Sequence, residues 1–312
     1  MKKFKIVLGR KNIAKIDASK LNLVPPKFHP YLVDLNPAIA NSKELASISG
    51  RDKEINRIYN CLLSGLKSKV VLLGNHGVGK TTILQKLMYK VIVSKQCPKE
   101  LQDVELLINE LSFSKTLKKL KKIVNFISMY SNLVLYIDQI HLIQADYWLS
   151  YYFSNLTKLS TVKIIGETTE EDFFAYFQVD TRTRAHLELM YIKEPQHKEI
   201  GSMIKHVAKN LGLKRGVSIT PRLIQYVVNV SDAFTTELCN PAISLEIIEK
   251  SMIVAKRKHK KEVSKQDINT NFNFDYDMYK KISNEDKMLT AYHESGHFLV
   301  NYFSENIKNL KT

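Results

Sequence analysis

Two stretches of this sequence have residue types and spacing suited to a phosphorylated ligand, and a third to a metal ion. 74-GNHGVGKT-81 has the form G-x-x-x-x-G-K-[ST]. In that pattern Gly74, Gly77 and Gly79 let the backbone N–H groups of Asn75, His76 and Val78 close around phosphate oxygens. Lys80 then reaches the β- and γ-phosphates, and the hydroxyl of Thr81, beside Thr82, helps to hold Mg²⁺. In 134-VLYIDQIHLI-143 four apolar residues lead to Asp138, which lies 58 residues after Lys80. An acid there fits as the carboxylate behind Mg²⁺. The next position in such a strand is ordinarily a glutamate that aligns the attacking water. Here it is Gln139, an amide that accepts no proton at neutral pH. These residues predict binding of ATP with Mg²⁺ and a handicap at the catalytic position 139.

The third stretch is 293-HESGH-297, an H-E-x-x-H pattern. On a helix the i, i+4 spacing puts His293 and His297 on one face, where they can share a Zn²⁺. Glu294 is then placed as general base on a zinc-bound water. The bland alternative is a solvated histidine pair. A catalytic zinc site needs three protein ligands, and completing this one with Asp275, Asp277 or Asp286 would be a new architecture.

The elements that position these residues follow from the apolar pattern. 69-KVVLLG-74 reads as a short buried strand, and 81-TTILQKLMYKVIV-93 as the helix that the phosphate loop opens. Further strands are predicted at 104–109, 133–138 and 162–167, and a helix at 53–63. A basic helix, 115-KTLKKLKK-122, falls between the second and third strands. Alternation of this kind predicts an α/β fold, a parallel sheet with helices on both faces. Only helical patterns occupy 196–270. The predicted organisation is an N-terminal extension over 1–30, a large α/β domain over 31–195, a helical lid over 196–270, and a C-terminal segment over 271–312 with a short helix.

The segment 33-VDLNPAIANSKELASISGRDKEINRI-58 resembles the entry to the first ATPase module of the Clp unfoldases, as do GNHGVGKT, LYIDQIH, 165-IGETTEEDF-173, 193-KEP-195 and 217-VSIT-220. The resemblance covers about Tyr31 to Ile268. It implies a AAA+ P-loop fold, a helical lid, and a ring with itself or an active relative that works with protein substrates or a protease partner. It implies too that Ile48 and Ser49 flank the adenine and that Thr168 reads the γ-phosphate. Besides Gln139, two features depart from that family. The paired arginines that reach a neighbouring subunit's ATP would fall on Ala185 and His186, with Arg182 and Arg184 just upstream. No aromatic-glycine pore loop fits 106-LLINELSFSKTLKKLKKIV-124, where Phe113 is the nearest aromatic. In addition, 282-ISNEDKMLTAYHESGHFLVNYF-303 resembles the start of the FtsH-type metallopeptidase domain, whose third ligand is an aspartate far downstream. Thr312 comes fifteen residues after His297, so the segment reads as a chain cut short or a vestigial peptidase.

Composition bounds the rest. The chain has 312 residues, 44% hydrophobic, and is neither fibrous nor disordered in composition. Cys61, Cys97 and Cys239 are scattered and odd in number, which predicts reduced thiols in a cytoplasmic setting rather than a disulfide framework. No apolar run is long enough to span a bilayer. The net charge of +16 suits nucleic acid or an anionic membrane, or simply a solvated basic surface. Its even spread and the lack of interleaved aromatics favour the last. The expected function is therefore a AAA+ ATP-binding scaffold or regulatory subunit, slow in hydrolysis. The alternative is an active ATP-dependent zinc metalloprotease or its unfoldase subunit.

Overall fold

The structure is a computed structural model. It describes residues 32–34, 48–64, 67–101, 105–109, 133–160, 162–178, 180–231 and 238–270, with a few isolated positions elsewhere. Six strands form one sheet in the order β1-β3-β4-β5-β2-β6. β2 (Lys69–Leu73), β3 (Glu105–Asn109), β4 (Leu133–Ile137), β5 (Lys163–Thr168) and β6 (Glu188–Tyr191) run parallel. At one edge β1 (Leu32–Asp34) pairs antiparallel with β3, setting Val33 opposite Ile108.

The central strands are apolar on both sides because both faces of the sheet are covered. Val71, Leu73, Leu135, Ile137 and Ile164 enter one core, while Val70, Leu72, Val134, Tyr136 and Ile165 enter the other. The second core is closed by α1 (Asp52–Leu63) and α2 (Lys80–Ile92). α1 buries Ile55, Ile58, Tyr59 and Leu62, a three-to-four residue spacing that gives one apolar stripe. The first core is closed by α3 (Tyr147–Thr157) and α4 (Glu170–Phe177). Asp146 caps α3 by accepting from the N–H groups of Trp148 and Leu149. Thr169 caps α4, and within it Phe173 stacks on Phe177 with ring centres 4.7 Å apart.

A short helix, α5 (Thr181–Ala185), precedes β6. Four helices follow the sheet: α6 (His197–Arg215), α7 (Pro221–Ser231), α8 (Ala242–Arg257) and α9 (Lys265–Thr270). They share a third core around Ile204, Val228, Ile248 and Met252. α9 starts with a reciprocal cap. Asp267 Oδ2 accepts from the Ser264 N–H at 3.0 Å, and Ser264 Oγ accepts from the Asp267 N–H at 3.3 Å.

The architecture is α/β, a parallel sheet with helices on both faces followed by helices alone, as the sequence predicts. All four predicted strands are present. β1 and β6 were not predicted. β6 is an edge strand with Tyr191 exposed and Glu188 facing Arg57 at 3.5 Å, so it lacks the continuous apolar run of a central strand. The basic helix expected between β3 and β4, Phe113, and most of 271–312 lie outside the described residues. Among the described residues no helix is long and apolar enough to cross a membrane.

Candidate functional site

The C-terminal ends of β2, β4 and β5 open on a cleft of about 600 Å³, within the size range of small-ligand sites. β2 delivers the loop 74–79 to one side of it, and α2 begins at Lys80 where the loop ends. Gly77 sits at φ +83°, in the left-handed region, and a Cβ there would meet the Ala242 Cβ at 2.7 Å and the Cys239 carbonyl at 2.8 Å. Only glycine satisfies both demands at this position. Arg51 braces the loop from outside, donating through Nη2 to the Val78 carbonyl at 2.8 Å and through Nη1 to Glu54 at 2.8 Å.

Lys80 folds back over the loop that precedes it. Its Nζ donates to the carbonyls of Gly74 at 2.6 Å and Asn75 at 3.0 Å. Burial lowers its pKa, opposed by the charges of Glu167 and Asp138. The Thr81 hydroxyl donates to Glu167 Oε1 at 2.8 Å. Asp138 and Gln139 follow β4 and are exposed to the cleft. Gln139 has φ 48° and ψ 51°, a left-handed turn that is uncommon for a non-glycine residue. It carries the chain into a 3₁₀ turn, Ile140–Ala145, which places His141 beside β5. His141 Nδ1 lies 2.6 Å from Thr168 Oγ1. Burial lowers the His141 pKa, with Asp172 pulling the other way.

Gly77, Gly79, Lys80, Thr81, Thr82, Asp138, Gln139 and Thr168 all line the cleft, as does His76. Of Ile48 and Ser49, the latter reaches the helical part: Ser49 Oγ donates to the Ser202 carbonyl of α6 at 3.0 Å. Arg182 and Arg184 are exposed on α5, with the Arg184 guanidinium 5.3 Å from the centre of the Phe174 ring. His293 is exposed, whereas Glu294 and His297 lie outside the described residues. Among the described residues no group of three or more His, Cys, Asp or Glu could hold a metal ion.

Three contributors escaped the sequence reading. Glu167, on β5 next to Thr168, lines the cleft and is 6% exposed. Burial pushes its carboxyl above the usual range, opposed by hydroxyls of Tyr136 and Thr81 and reinforced by the charge of Asp138. The other two come from the helical part. The Cys239 N–H donates to the His76 carbonyl at 2.8 Å, and the Ala242 N–H to the Gly77 carbonyl at 3.3 Å. No signal in the local sequence marks these residues of the helical part, since their partners lie more than a hundred residues upstream. Glu167 did carry one, an acid directly after the apolar run Ile164, Ile165 and Gly166 of a buried strand.

The donor set suits Mg²⁺. That ion takes one or two carboxylates, a hydroxyl and phosphate oxygens rather than a full protein cage. Thr81, Asp138 and Glu167 could offer hard oxygen ligands of this kind, and Lys80 a cation for phosphate.

No family model matches the chain. The chaperone protein ClpB of Aquifex aeolicus is 25% identical over 240 residues, 72% of this chain and 24% of that protein. The negative regulator of genetic competence ClpC/MecB of Bacillus subtilis is 25% identical over 228 residues, 69% of this chain and 28% of that protein. Among solved structures, the Saccharomyces cerevisiae Hsp104–ADP complex superposes with a TM-score of 0.72 at 19% identity, covering 86% of this chain and 48% of that one. A closed state of Hsp104 with ATPγS and FITC casein gives 0.70 at 19% identity, covering 78% and 44%. The chain thus spans roughly a quarter of the length of these two curated relatives. It has the AAA+ fold, and its homology to Clp-type AAA+ ATPases extends over about 70% of its length.

Proposed function

We propose that this chain binds ATP with Mg²⁺ in the cleft, hydrolyses it slowly, and serves as a scaffold or regulatory subunit of a AAA+ assembly. The observation that carries the reading is the convergence of the 74–79 loop, Lys80, Thr81 and Asp138 on one cleft at the ends of three adjacent parallel strands. Lys80 would neutralise the β- and γ-phosphates, Thr81 and Asp138 would hold the cation, and Thr168 would meet the γ-phosphate. Ile48 and Ser49, at the junction with α6, would flank the base. Bound magnesium supplies charge neutralisation of the phosphates.

Slow turnover follows from two features. Gln139 occupies the place of the water-aligning carboxylate, and its amide cannot take the proton. Arg182 and Arg184 precede the positions where family arginines would stand, and fingers of that kind contribute orders of magnitude to phosphoryl transfer. Binding needs neither feature. The relatives named for chaperone activity suggest a ring of like or mixed subunits, protein clients and a cytoplasmic setting. The division into 1–30, 31–195, 196–270 and 271–312 belongs to this proposal.

Labelled ATP with the purified chain tests it, scoring nucleotide retained and phosphate released beside Lys80→Ala and Gln139→Glu. Retention with little release from the natural chain, and none retained by Lys80→Ala, is the expected result. Brisk release from the natural chain would overturn slow turnover and restore the active unfoldase or zinc protease reading. Zinc binding at His293 and His297 is a separate proposal, which zinc retained undiminished by His293→Ala would sink.

A further inference from the structure

We infer that Glu167 is a second carboxylate of the divalent-cation site, orienting Thr81 through one oxygen and turning the other to the cation and its water shell. The inference rests on the nucleotide reading above and goes beyond it, since the loop motif and Asp138 alone make no demand on position 167.

Three observations converge. The first is the bond to Thr81. A hydroxyl has one hydrogen and two lone pairs. Because Glu167 Oε1 accepts that hydrogen at 2.8 Å, Thr81 keeps lone pairs of which one, beside the Tyr136 hydroxyl, can go to a cation. A threonine that gave its hydrogen to a carbonyl elsewhere in the loop would point the wrong way. Glu167 therefore sets the hydroxyl in its cation-binding orientation before any ligand arrives.

The second observation is the other oxygen. Glu167 is 94% buried, and its Oε2 makes no hydrogen bond among the described residues. Buried carboxylate oxygens in a merely structural role are satisfied, because leaving one unpaired is costly. Because Glu167 lines the ligand cleft, the partner that its buried Oε2 lacks is assigned to the ligand.

The third is charge. Glu167 on β5 and Asp138 at the end of the neighbouring β4 sense each other electrostatically, and Lys80 offsets both. Two carboxylates beside a phosphate site repel metal-free nucleotide and attract a divalent cation. A site built this way discriminates between ATP with magnesium and ATP without it more sharply than a site with Asp138 alone. Glu167 is thus a positioning and cation-binding residue, and it needs no chemical step to act.

The test is equilibrium binding of a fluorescent ATP analogue in magnesium and in EDTA, with the natural chain, Glu167→Gln and Glu167→Ala. Manganese titration of the ATP-loaded forms, read by electron paramagnetic resonance, accompanies it. The natural chain should gain affinity on adding magnesium. In both variants that gain should fall about tenfold, as on loss of a residue that supports a metal ligand. Affinity in EDTA should hold or rise, which also shows that the variants are folded. An undiminished magnesium gain in the variants overturns the inference and leaves the nucleotide reading standing. If the natural chain binds no nucleotide in either buffer, both readings fall. Should Glu167→Gln not fold, Glu167→Asp keeps the charge with a shorter reach and should lose part of the magnesium gain; no loss there overturns the inference equally.

Discussion

Nδ1 of His141 and the hydroxyl of Thr168 lie 2.6 Å apart, joining the turn after β4 to the end of β5 inside the core edge of the cleft. Because burial lowers the His141 pKa, the folded chain prefers the neutral ring. Acidification therefore protonates the unfolded chain first, near its ordinary pKa of about 6.5. The contribution of His141 is fully present above that pH and is lost as the pH falls below it towards the folded value. Thermal unfolding at about pH 7.5 and about pH 5.5 should show a steeper loss for the natural chain than for His141→Gln. Equal losses would mean that the ring titrates alike in the folded and unfolded chains.

Asp267 anchors the helical part. Burial alone would raise its pKa, but hydrogen bonds from Ser264, Lys260 and Lys258 overcome that and hold the carboxyl far below the usual range. Its contribution is therefore present above about pH 4, the ordinary carboxylate pKa, and is lost progressively as the pH falls further. Asp267→Ala removes a cap and two ion pairs, while Lys258 and Lys260, whose side chains are 44% and 37% exposed, return to water. A loss of about 2 kcal/mol is expected in denaturant unfolding at neutral pH, shrinking towards zero in strong acid.

Gly77→Ala should strain the loop and push it off the helical part, because the new Cβ has no room beside Ala242 and the Cys239 carbonyl. The expected cost is about 1–3 kcal/mol, as for overpacking, together with weaker ATP binding. A variant with unchanged stability and affinity would show that the contact is dispensable.

Phe173→Ala removes a ring that is fully buried and stacked on Phe177. Loss of a large core aromatic costs about 3–5 kcal/mol. α4 follows directly from Thr168 and Thr169, so ATP affinity should fall with stability when measured by titration calorimetry.

Much of the fold could be read from the sequence because its signals are local. 69-KVVLLG-74 is apolar throughout since both faces of β2 are covered, and the glycine pattern after it carries its own context. The edge strands β1 and β6 were not legible, being only three and four residues long. The site was half legible. Lys80, Thr81, Asp138 and Gln139 announce themselves by spacing. Glu167 does not, because its meaning depends on Thr81, 86 residues earlier in the chain. Nor do Cys239 and Ala242, whose backbone N–H groups reach the loop across the cleft with no side-chain signature at all.

The two N–H groups that the helical part lends to His76 and Gly77 make the loop's shape a shared property of both halves of the molecule. Any ligand that reshapes the loop must then lengthen or tighten those bonds, and so act on the helical part merely by being present. Under the slow turnover proposed above, occupancy itself would be the message, and residence time the clock by which a neighbouring subunit would read it.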